Sequence, residues 1–348
     1  MPAEWEPHAA TWLGWPHNST DWPGKLPVIH WVYGEICRKL APGEKLHILV
    51  NSPRHKAAAR SVLSASGVAA DRVRFFQFPT NRGWTRDTGP LFVRQAAEAR
   101  CGSLAIVGFQ FNAWAKYPDW RRDAKLAASA ARALRIPLLH AQVAGRGFVL
   151  EGGSIDVNGG GTLLTTEECL LDPEVQVRNP GLSRVEIEAA LRRFLGVTNI
   201  LWLGRGIAGD DTHGHVDDFC RFVNPRTVVL AREIDHQDPN HRVLEENRER
   251  LEGMRLENGG KPDVVRLPMP SPLYFEKLRL PASYANFYIG NAAVLVPTFN
   301  DPKDRFALGT LAELFPGRPI VGIHAVDLVL GLGTLHCLTQ QQPADAPR

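Results

Sequence analysis

Several features that would place a protein in a specialised class are missing from this sequence of 348 residues. Its five cysteines lie far apart and form no Cys-x-x-Cys pair, which argues against a disulfide framework or a zinc knuckle and favours reduced thiols; they are Cys37, Cys101, Cys169, Cys220 and Cys337. No apolar run approaches the length of a membrane span, and the N-terminus lacks the basic and apolar segments of a signal peptide. Lysine and arginine are spread evenly along a chain of net charge +3, so we expect no surface for nucleic acid or an anionic membrane. These absences predict a soluble, cytoplasmic protein that acts on small solutes.

The sequence contains enough apolar residues for a large core. Hydrophobic residues make up 44% of the chain and charged residues 22%, as is typical of a globular protein. Helical patterns centred near residues 58, 128, 188, 247 and 309 recur roughly every sixty to seventy residues, each among two or three strand patterns. This recurrence predicts a repeat architecture in an α/β protein, although the units share little residue-level similarity.

Local signals predict individual elements. Asn51 or Ser52 caps a helix that begins at Pro53, and Ser183 with Glu186 makes a capping box for a helix that ends at Gly196. Asn158-Gly159 predicts a hairpin turn between two strands. A helix is expected from Arg121 to Arg135, one strand over Phe287 to Val296, and short strands leading into Cys337.

Four reactive residues fall at corresponding positions of this repeat. Asp87 and Glu151 are 64 residues apart, Glu151 and His215 are 64 apart, and His215 and Cys337 are 122 apart, which is twice 61. If the units are arranged radially, as propeller blades are, all four side chains point toward one central channel. The spacing therefore predicts one site that combines two carboxylates, a histidine and a thiol.

The thiol of this site lies in the stretch from Gly331 to Gln342, where glycines allow tight bends and a polar run follows Leu338. Free cysteine often packs as a small apolar residue, so the stretch alone also allows a structural interpretation of Cys337. A nucleophilic cysteine needs a group that favours its thiolate and a proton donor for the leaving group, and His215 could meet both needs.

Carboxylates beside a thiolate favour a cationic substrate. Negative charge disfavours ionisation of a thiol, and a bound cation removes that conflict. A guanidinium is planar and rich in N–H donors, so Asp87 and Asp217 can bind it through paired, charge-assisted hydrogen bonds. His213, His215 and Asp217 alternate in sequence, which in an extended segment would place their side chains on one face.

Sequence segments along nearly the whole chain match one known family in order. They are Met-Pro-Ala-Glu-Trp-Glu-Pro-His at 1–8, Trp-Thr-Arg-Asp-Thr-Gly-Pro at 84–90, Glu-Gly-Gly-Ser at 151–154, Thr-Thr-Glu-Glu-Cys-Leu at 165–170, Gly-Asp-Asp-Thr and Gly-His-Val-Asp within 209–217, Asn-Phe-Tyr-Ile at 286–289, and His-Cys before Thr-Gln-Gln-Gln at 336–342. With these segments the sequence resembles the agmatine deiminases, a family of the guanidino-group-modifying enzymes related to bacterial peptidyl-arginine deiminases.

This resemblance implies one domain over residues 1–348 with the pentein fold, a five-unit pseudo-symmetric α/β propeller. The chain departs from the family pattern at Thr334, where asparagine is usual, at Leu332, where glycine is usual, and at His213, where asparagine is usual. An acidic residue is also common where this chain has Asn81. The departures concern the specificity for the tail of the substrate.

The resemblance also implies a reaction and roles for five residues. Agmatine would be hydrolysed to N-carbamoylputrescine and ammonia through a covalent amidino-cysteine intermediate. Cys337 would be the nucleophile, His215 the general acid and base, and Glu151 the partner that orients His215. Asp87 and Asp217 would bind the guanidinium. Neither a metal nor an organic cofactor is implied, and a homodimer is expected.

Other functions remain open from the sequence. His213-x-His215-x-Asp217, with Asp210 and Asp211 nearby, would suit zinc or manganese, so a metal-dependent hydrolase is one alternative. A non-catalytic guanidino-ligand binding protein on the same scaffold is another, although binding alone needs neither thiol nor histidine. A deiminase of arginine or peptidyl-arginine is the third.

The tail of the substrate separates agmatine from arginine. An arginine substrate calls for a cation such as Arg205 or Arg82 to bind its carboxylate, whereas agmatine calls for an anion or an aromatic ring near its amine. Asp211 and Trp84 are the candidates for that amine, and Trp84 would serve equally as a packing residue that positions Asp87.

Further side chains are assigned to structure. Arg82 is expected to face solvent, Arg86 to be buried beside a carboxylate, and Cys169 to lie in the core. Gly152, Gly153 and Gly214 are assigned to tight backbone geometry rather than to ligand contact. His336 is expected to point away from Cys337, as neighbours in a strand do. The tryptophans within residues 1–27 are expected to cover the core or the entrance of a site.

Overall fold

The computed structural model describes residues 1–95 and 104–345, so Cys101 lies outside the described residues. The strands are β1 (His8–Gly14), β2 (Lys45–Leu49), β3 (Val73–Phe76), β4 (Leu91–Arg94), β5 (Leu104–Gly108), β6 (Leu138–His140), β7 (Gln142–Val143), β8 (Arg146–Gly147), β9 (Asp156–Val157), β10 (Thr162–Thr166), β11 (Asn199–Leu203), β12 (Cys220–Phe222), β13 (Thr227–Arg232), β14 (Asp263–Pro268), β15 (Tyr274–Phe275), β16 (Leu278–Arg279), β17 (Tyr288–Ile289), β18 (Val294–Thr298), β19 (Ile320–His324) and β20 (Thr339–Pro343).

The helices alternate with these strands. They are α1 (Leu26–Leu40), α2 (Pro53–Ala65), α3 (Thr85–Thr88), α4 (Leu126–Leu134), α5 (Glu167–Leu171), α6 (Arg184–Leu195), α7 (Pro239–Gly253), α8 (Asp304–Leu314) and α9 (Leu335–Leu338). Short 3-10 helices occupy Ala70–Arg72, Asp123–Lys125, Gly152–Ser154, Val216–Asp218 and Leu328–Gly331. Over the described ranges, every helix is too short or too polar to cross a membrane.

Five sheets share one arrangement of strands. Their strand orders are β20-β1-β2-β3, β4-β5-β6, β9-β10-β11, β12-β13-β14 and β17-β18-β19. In each sheet the first pair is antiparallel and the second pair is parallel. A helix connects the two parallel strands, because parallel neighbours require a crossover rather than a tight turn. The predicted repetition is therefore present in a mixed α/β fold.

The first and last strands of the chain belong to the same sheet. β1 lies between β2 and β20, with Trp12 opposite Gln340. The segment that holds the N-terminal tryptophans thus contains a core strand, which the irregular sequence did not predict. Trp12, Trp15 and Trp22 are almost fully buried, as expected for a segment that covers the core.

Local capping and turn signals correctly predicted several elements. The Ser52 hydroxyl accepts a hydrogen bond from the backbone N–H of His55 and begins α2. Ser183 and Glu186 form a capping box at the start of α6, and Gly196 ends that helix with φ 68°. The Asn158 side chain accepts hydrogen bonds inside the turn between β9 and β10.

Three predicted elements differ in the structure. The single strand expected over Phe287 to Val296 is two antiparallel strands, β17 and β18. The helix expected from Arg121 to Arg135 begins as the 3-10 turn Asp123–Lys125 and becomes α-helical only at Leu126. The chain reaches Cys337 through helical turns rather than strands, since Leu332 adopts the left-handed φ of 66° and redirects the backbone.

Candidate active site

The predicted site residues lie where the chain enters the first strand of each repeated sheet. Asp87 is in α3 before β4, and Glu151 precedes the 3-10 turn before β9. His215 precedes the 3-10 turn before β12, and Asp217 lies within that turn. Cys337 is in α9 before β20. The corresponding position before β17 is held by Asn286. The equal spacing in sequence thus reflects equivalent places in successive sheets.

Asn286 binds the thiol and was not predicted as a site residue. Its side-chain N–H donates to the sulfur of Cys337 at 3.1 Å and to Asp218 at 3.0 Å. Its side-chain oxygen accepts hydrogen bonds from the Thr334 hydroxyl at 2.8 Å and from the backbone N–H of His336 at 3.1 Å. Asn286 therefore fixes both the thiol and the turn that carries it. The double spacing between His215 and Cys337 was the signal for an intervening unit.

Asp87 is held by two donors from other segments. The Trp114 indole donates to Oδ2 at 2.8 Å, and the backbone N–H of Gly153 donates to Oδ1 at 3.0 Å. A side chain at Gly153 would collide with the site, because its Cβ would lie 2.6 Å from His215 Nδ1. The tight backbone assigned to this glycine from the sequence is therefore required by the groups packed against it.

Trp114 reaches Asp87 from an unusual left-handed turn. Ala113, Trp114 and Ala115 have φ values of 53°, 57° and 53°, a conformation that costs most L-residues roughly 1–2 kcal/mol each. Hydrogen bonds from Gln176 to the Trp114 carbonyl and from the Ala115 N–H to Asn112 hold the turn. Such strain persists only where the surroundings enforce it, and it is concentrated at functional sites.

His215 is buried with its two ring nitrogens facing different groups. Nε2 lies 3.7 Å from a Glu151 carboxylate oxygen, whereas Nδ1 lies 3.9 Å from Asp87 Oδ1 and 4.0 Å from Asp217 Oδ1. Neither nitrogen has a hydrogen-bond partner among the described residues. Cys169, which the sequence assigned to the core, is buried but also contacts this ring. The ring is thus enclosed by acidic groups with a free nitrogen toward Asp87 and Asp217.

Glu151 is fixed behind the histidine by an arginine. Arg178 Nε donates to both carboxylate oxygens, at 3.1 and 3.3 Å, and both side chains are fully buried. Burial opposes ionisation of Glu151, but Arg178 and then His215 outweigh it and lower the pKa of Glu151 to about 2. A permanent negative charge therefore lies beside Nε2 of His215.

A buried chain of charges runs from Asp217 to the N-terminal segment. His336 Nδ1 lies 2.6 Å from Asp217 Oδ2, and His336 Nε2 lies 2.8 Å from Glu4 Oε2. Glu4 also accepts hydrogen bonds from Arg86 at 2.9 Å and from Arg221 at 3.0 Å. The prediction for Arg86 is confirmed. The strand alternation on which the orientation of His336 was predicted is wrong, because α9 is helical. His336 lies against Asp217, whose Oδ2 is also 3.8 Å from the Cys337 sulfur.

The predicted common face of residues 213 to 217 is also wrong. His213 has φ 65° and its ring contacts Asp172 at 2.9 Å, while Asp217 lies in a 3-10 turn. The Asp210 carboxylate accepts hydrogen bonds from the backbone N–H groups of Gly214 and His215 and so fixes this bend. The metal-ligand trio suggested by the alternation therefore does not converge.

Two other groups within the described part of the chain have metal-ligand atoms close together. Glu151, Cys169 and His215 form one group and Asp217, Asp218 and Cys337 form another, each within 4.8 Å and buried. In the first group Glu151 is already paired with Arg178. In the second, His336 already lies against Asp217 and Asn286 donates to Asp218. A metal in either group would therefore compete with these existing partners for a carboxylate.

The thiol is held in its neutral form by its surroundings. Burial and then the carboxylates of Asp217, Asp218 and Asp87 raise the pKa of Cys337 well above its ordinary value. Burial also raises the pKa of Asp87 to about 6. A cation placed between Asp87 and Cys337 would favour the ionised form of both groups.

A pocket of about 500 Å³, including its opening, leads to the thiol. Its lining residues are Thr20, Asp21, Arg82, Trp84, Asp87, Trp114, Tyr117, Asp211, Thr212, Leu330, Gly331, Leu332 and Cys337. Both candidate tail residues, Trp84 and Asp211, therefore line the same pocket as the thiol. Arg205 does not line it, and its side chain is exposed.

The expected solvent exposure of Arg82 is wrong. Its side chain is only 13% exposed, and its guanidinium pairs with Asp21 and Asp119. The group also stacks on the Tyr117 ring, 4.4 Å from the ring centre. Acidic residues distant in sequence enclose this cation, so the adjacent sequence gave no sign of its position.

Comparison with known proteins identifies the family of this chain. Residues 1–343 match the family described as Porphyromonas-type peptidyl-arginine deiminase, and the chain belongs to that family. It is 37% identical to an agmatine deiminase of Stutzerimonas stutzeri, over 99% of this chain and 95% of that protein.

Solved structures of agmatine deiminases have the same fold as this chain. An agmatine deiminase of Enterococcus faecalis superposes with a TM-score of 0.87 at 32% identity, over 99% of this chain and 95% of the other. An agmatine deiminase of C. jejuni with substrate bound superposes with a TM-score of 0.85 at 29% identity, over 100% of this chain and 96% of the other.

Proposed function

We propose that this protein is an agmatine deiminase that hydrolyses agmatine to N-carbamoylputrescine and ammonia. The observation that carries the proposal is the buried Cys337 thiol, whose sulfur lies 3.8 Å from Asp217 Oδ2 and shares a pocket with Asp87, so that acidic neighbours raise its pKa. Such a thiol becomes a nucleophile when a cation enters, and a guanidinium supplies that cation. Relatives that cover nearly the whole chain and are described as agmatine deiminases support the choice of substrate.

The substrate guanidinium binds between Asp87 and Asp217. Asp217 Oδ1 is buried without a hydrogen-bond partner in the described structure, and it can accept an N–H of the guanidinium. Trp114 and Gly153 orient the Asp87 carboxylate so that it can accept further N–H groups of the guanidinium. The positive charge lowers the pKa of the Cys337 thiol, which releases its proton to solvent.

The first chemical step forms a covalent intermediate. The Cys337 thiolate attacks the guanidinium carbon, and protonated His215 donates its proton to the departing nitrogen as the C–N bond breaks. Burial opposes protonation of His215, but Asp87 and other acidic neighbours raise its pKa well above the ordinary value, so the proton is available. Ammonia leaves, and an amidino-thioether remains on Cys337.

The second step consumes water. Neutral His215 takes a proton from water, and the resulting hydroxide adds to the amidino carbon. The C–S bond breaks, the added hydroxyl gives its proton to the departing Cys337 sulfur, and the neutral ureido product is released with the thiol regenerated. Glu151, ionised by its pairing with Arg178, holds His215 in orientation through both steps. This sequence of steps needs neither a metal nor an organic cofactor.

The five repeated sheets support a five-unit propeller in one domain, with each unit contributing one turn to the site. On that arrangement Asp87, Glu151, His215, Asn286 and Cys337 are the contributions of the five units. A homodimer and a cytoplasmic location are further expectations, and light scattering of the purified protein tests the dimer.

Agmatine, arginine and an arginine-containing peptide offered in parallel test the proposal. We expect release of ammonia and a ureido product from agmatine alone, abolished in Cys337→Ala and retained in the matched control Cys220→Ala, whose thiol is buried away from the pocket. Turnover of arginine or peptide instead would assign a different deiminase. Loss of activity in chelator would favour a metal hydrolase, and binding without turnover would favour a non-catalytic binding protein.

A further inference from the structure

Two carboxylates in the pocket besides Asp87 could bind the amine of the substrate, and one of them is already occupied. Asp211 was the candidate from the sequence. Its Oδ1 accepts a hydrogen bond from Lys116 at 2.5 Å, and its Oδ2 accepts one from the Tyr117 hydroxyl at 2.6 Å. Both oxygens thus have donors before any substrate arrives.

Asp21 is the carboxylate that still lacks a donor. Its Oδ1 pairs with Arg82, but its Oδ2 is buried and has no hydrogen-bond partner among the described residues. Burial raises the pKa of Asp21 to about 6 against the opposing effects of Arg82 and of the Trp84 indole, which faces the carboxylate but does not meet hydrogen-bond geometry with Oδ2 in the described structure. A buried acceptor without a partner is rare and costly, so a donor that enters the pocket would be stabilised there.

The charges around this carboxylate favour a tail with one positive charge. Asp21, Asp119 and Asp211 carry three negative charges, and Arg82 and Lys116 carry two positive charges. One further cation neutralises the group. A zwitterionic amino-acid tail does not, and it would bring a fourth carboxylate into partly buried surroundings.

Arg82 is poorly arranged to bind the carboxylate of arginine. Its two terminal nitrogens are directed at Asp21 and Asp119, and one face of the guanidinium covers the Tyr117 ring. Only Nε remains without a partner among the described residues. A carboxylate is bound best by two parallel N–H donors, which Arg82 no longer offers.

We propose that Asp21 accepts the tail ammonium of the substrate and makes the site specific for alkylguanidines that end in a primary amine. This inference rests on the proposed function. Arg82 then acts as a positioning residue that orients Asp21. Asp211, whose oxygens are bound by Lys116 and Tyr117, contributes only its negative charge.

The test compares agmatine with butylguanidine, which has the same four-carbon chain but a hydrogen atom in place of the amine. Asp21→Asn keeps an oxygen for Arg82 but presents an N–H to the tail, where it faces the ammonium. We expect kcat/KM for agmatine to fall about tenfold or more, mainly through KM, while kcat/KM for butylguanidine stays within about twofold.

Asp119→Asn is the matched control, because it removes the other carboxylate from Arg82 without changing a pocket-lining residue. It removes one negative charge near the tail but no hydrogen bond to it, so the ratio of the two substrates should fall by much less than in Asp21→Asn. If Asp21→Asn is poorly folded by circular dichroism, Asp21→Glu retains the charge and should retain the preference for agmatine.

An equal loss for both substrates in Asp21→Asn would overturn the inference, since a residue that only holds Arg82 would affect both alike. So would a change of the ratio in Asp211→Asn alone, or loss of the preference in a folded Asp21→Glu. Failure of the wild-type protein to convert either substrate would instead refute the proposed function.

Discussion

Replacing Asp87 by asparagine should stabilise the protein at neutral pH while removing its activity. Burial raises the pKa of this carboxyl from the ordinary 3.8 to about 6, which corresponds to about 3 kcal/mol against the charged, folded form. The amide can accept from only one of the two donors, Trp114 and Gly153, so about 1 kcal/mol is lost again. The net expected gain in the free energy of unfolding is about 2 kcal/mol at pH 8.

The sign of this effect depends on pH. Because the pKa of Asp87 is raised by folding, its destabilising charge is fully present above about pH 6 and disappears as the pH falls toward 3.8. Urea denaturation of both proteins at pH 8 and pH 4.5 measures the change. The gain of about 2 kcal/mol should shrink to near zero at pH 4.5.

Asp217→Asn is a matched control with the opposite sign. Burial opposes the charge of Asp217, but the hydrogen bond and charge of His336 outweigh it and lower its pKa, so loss of this charge should destabilise at pH 8. A destabilised Asp87→Asn protein, or a gain that is the same at both pH values, would refute the reasoning.

Three further predictions follow from the turns around the site. Trp114→Phe keeps an aromatic ring but removes the donor to Asp87, so KM for agmatine should rise about tenfold in steady-state kinetics, and an unchanged KM would contradict this role. Asn286→Ala removes the donor to the thiol, so kcat and the rate of thiol alkylation by iodoacetamide should both fall by about tenfold, and unaltered alkylation would contradict it. Ala115→Gly relieves a left-handed residue and should raise the free energy of unfolding by up to about 1 kcal/mol, whereas Ala58→Gly in the exposed face of α2 should lower it by about 1 kcal/mol.

Local sequence signals predicted elements whose causes are themselves local. The capping box at Ser183 and the turn at Asn158 involve hydrogen bonds within a few residues, so a short stretch of sequence contains both partners. The spacing of Asp87, Glu151 and His215 succeeded for another reason, because equivalent turns before equivalent strands repeat along the chain. Their catalytic roles stay predictions until the variants are assayed.

Orientation could not be predicted where the deciding partner is distant in sequence. Arg82 is enclosed by Asp21, 61 residues away, and His336 by Glu4, 332 residues away. Trp114 lies in a left-handed turn formed by Ala113, Trp114 and Ala115, and the sequence did not indicate this turn because it contains no glycine or asparagine. Asn286 was not predicted as a site residue, because its spacing of 51 residues from Cys337 does not fit the period near 61 to 64.

Because β1 pairs with β20, the first sheet cannot be completed until the end of the chain has been synthesised. During synthesis β1 emerges first and lacks its antiparallel neighbour until residues 339 to 343 follow. Until then one side of β1 is an open strand edge, the kind of surface that recruits other chains into aggregates. Glu4 likewise cannot complete its buried contacts until His336 has been synthesised. A nascent chain therefore passes through most of its synthesis without an assembled thiol site, and we expect a product that stops before Thr339 to aggregate through the open edge of β1.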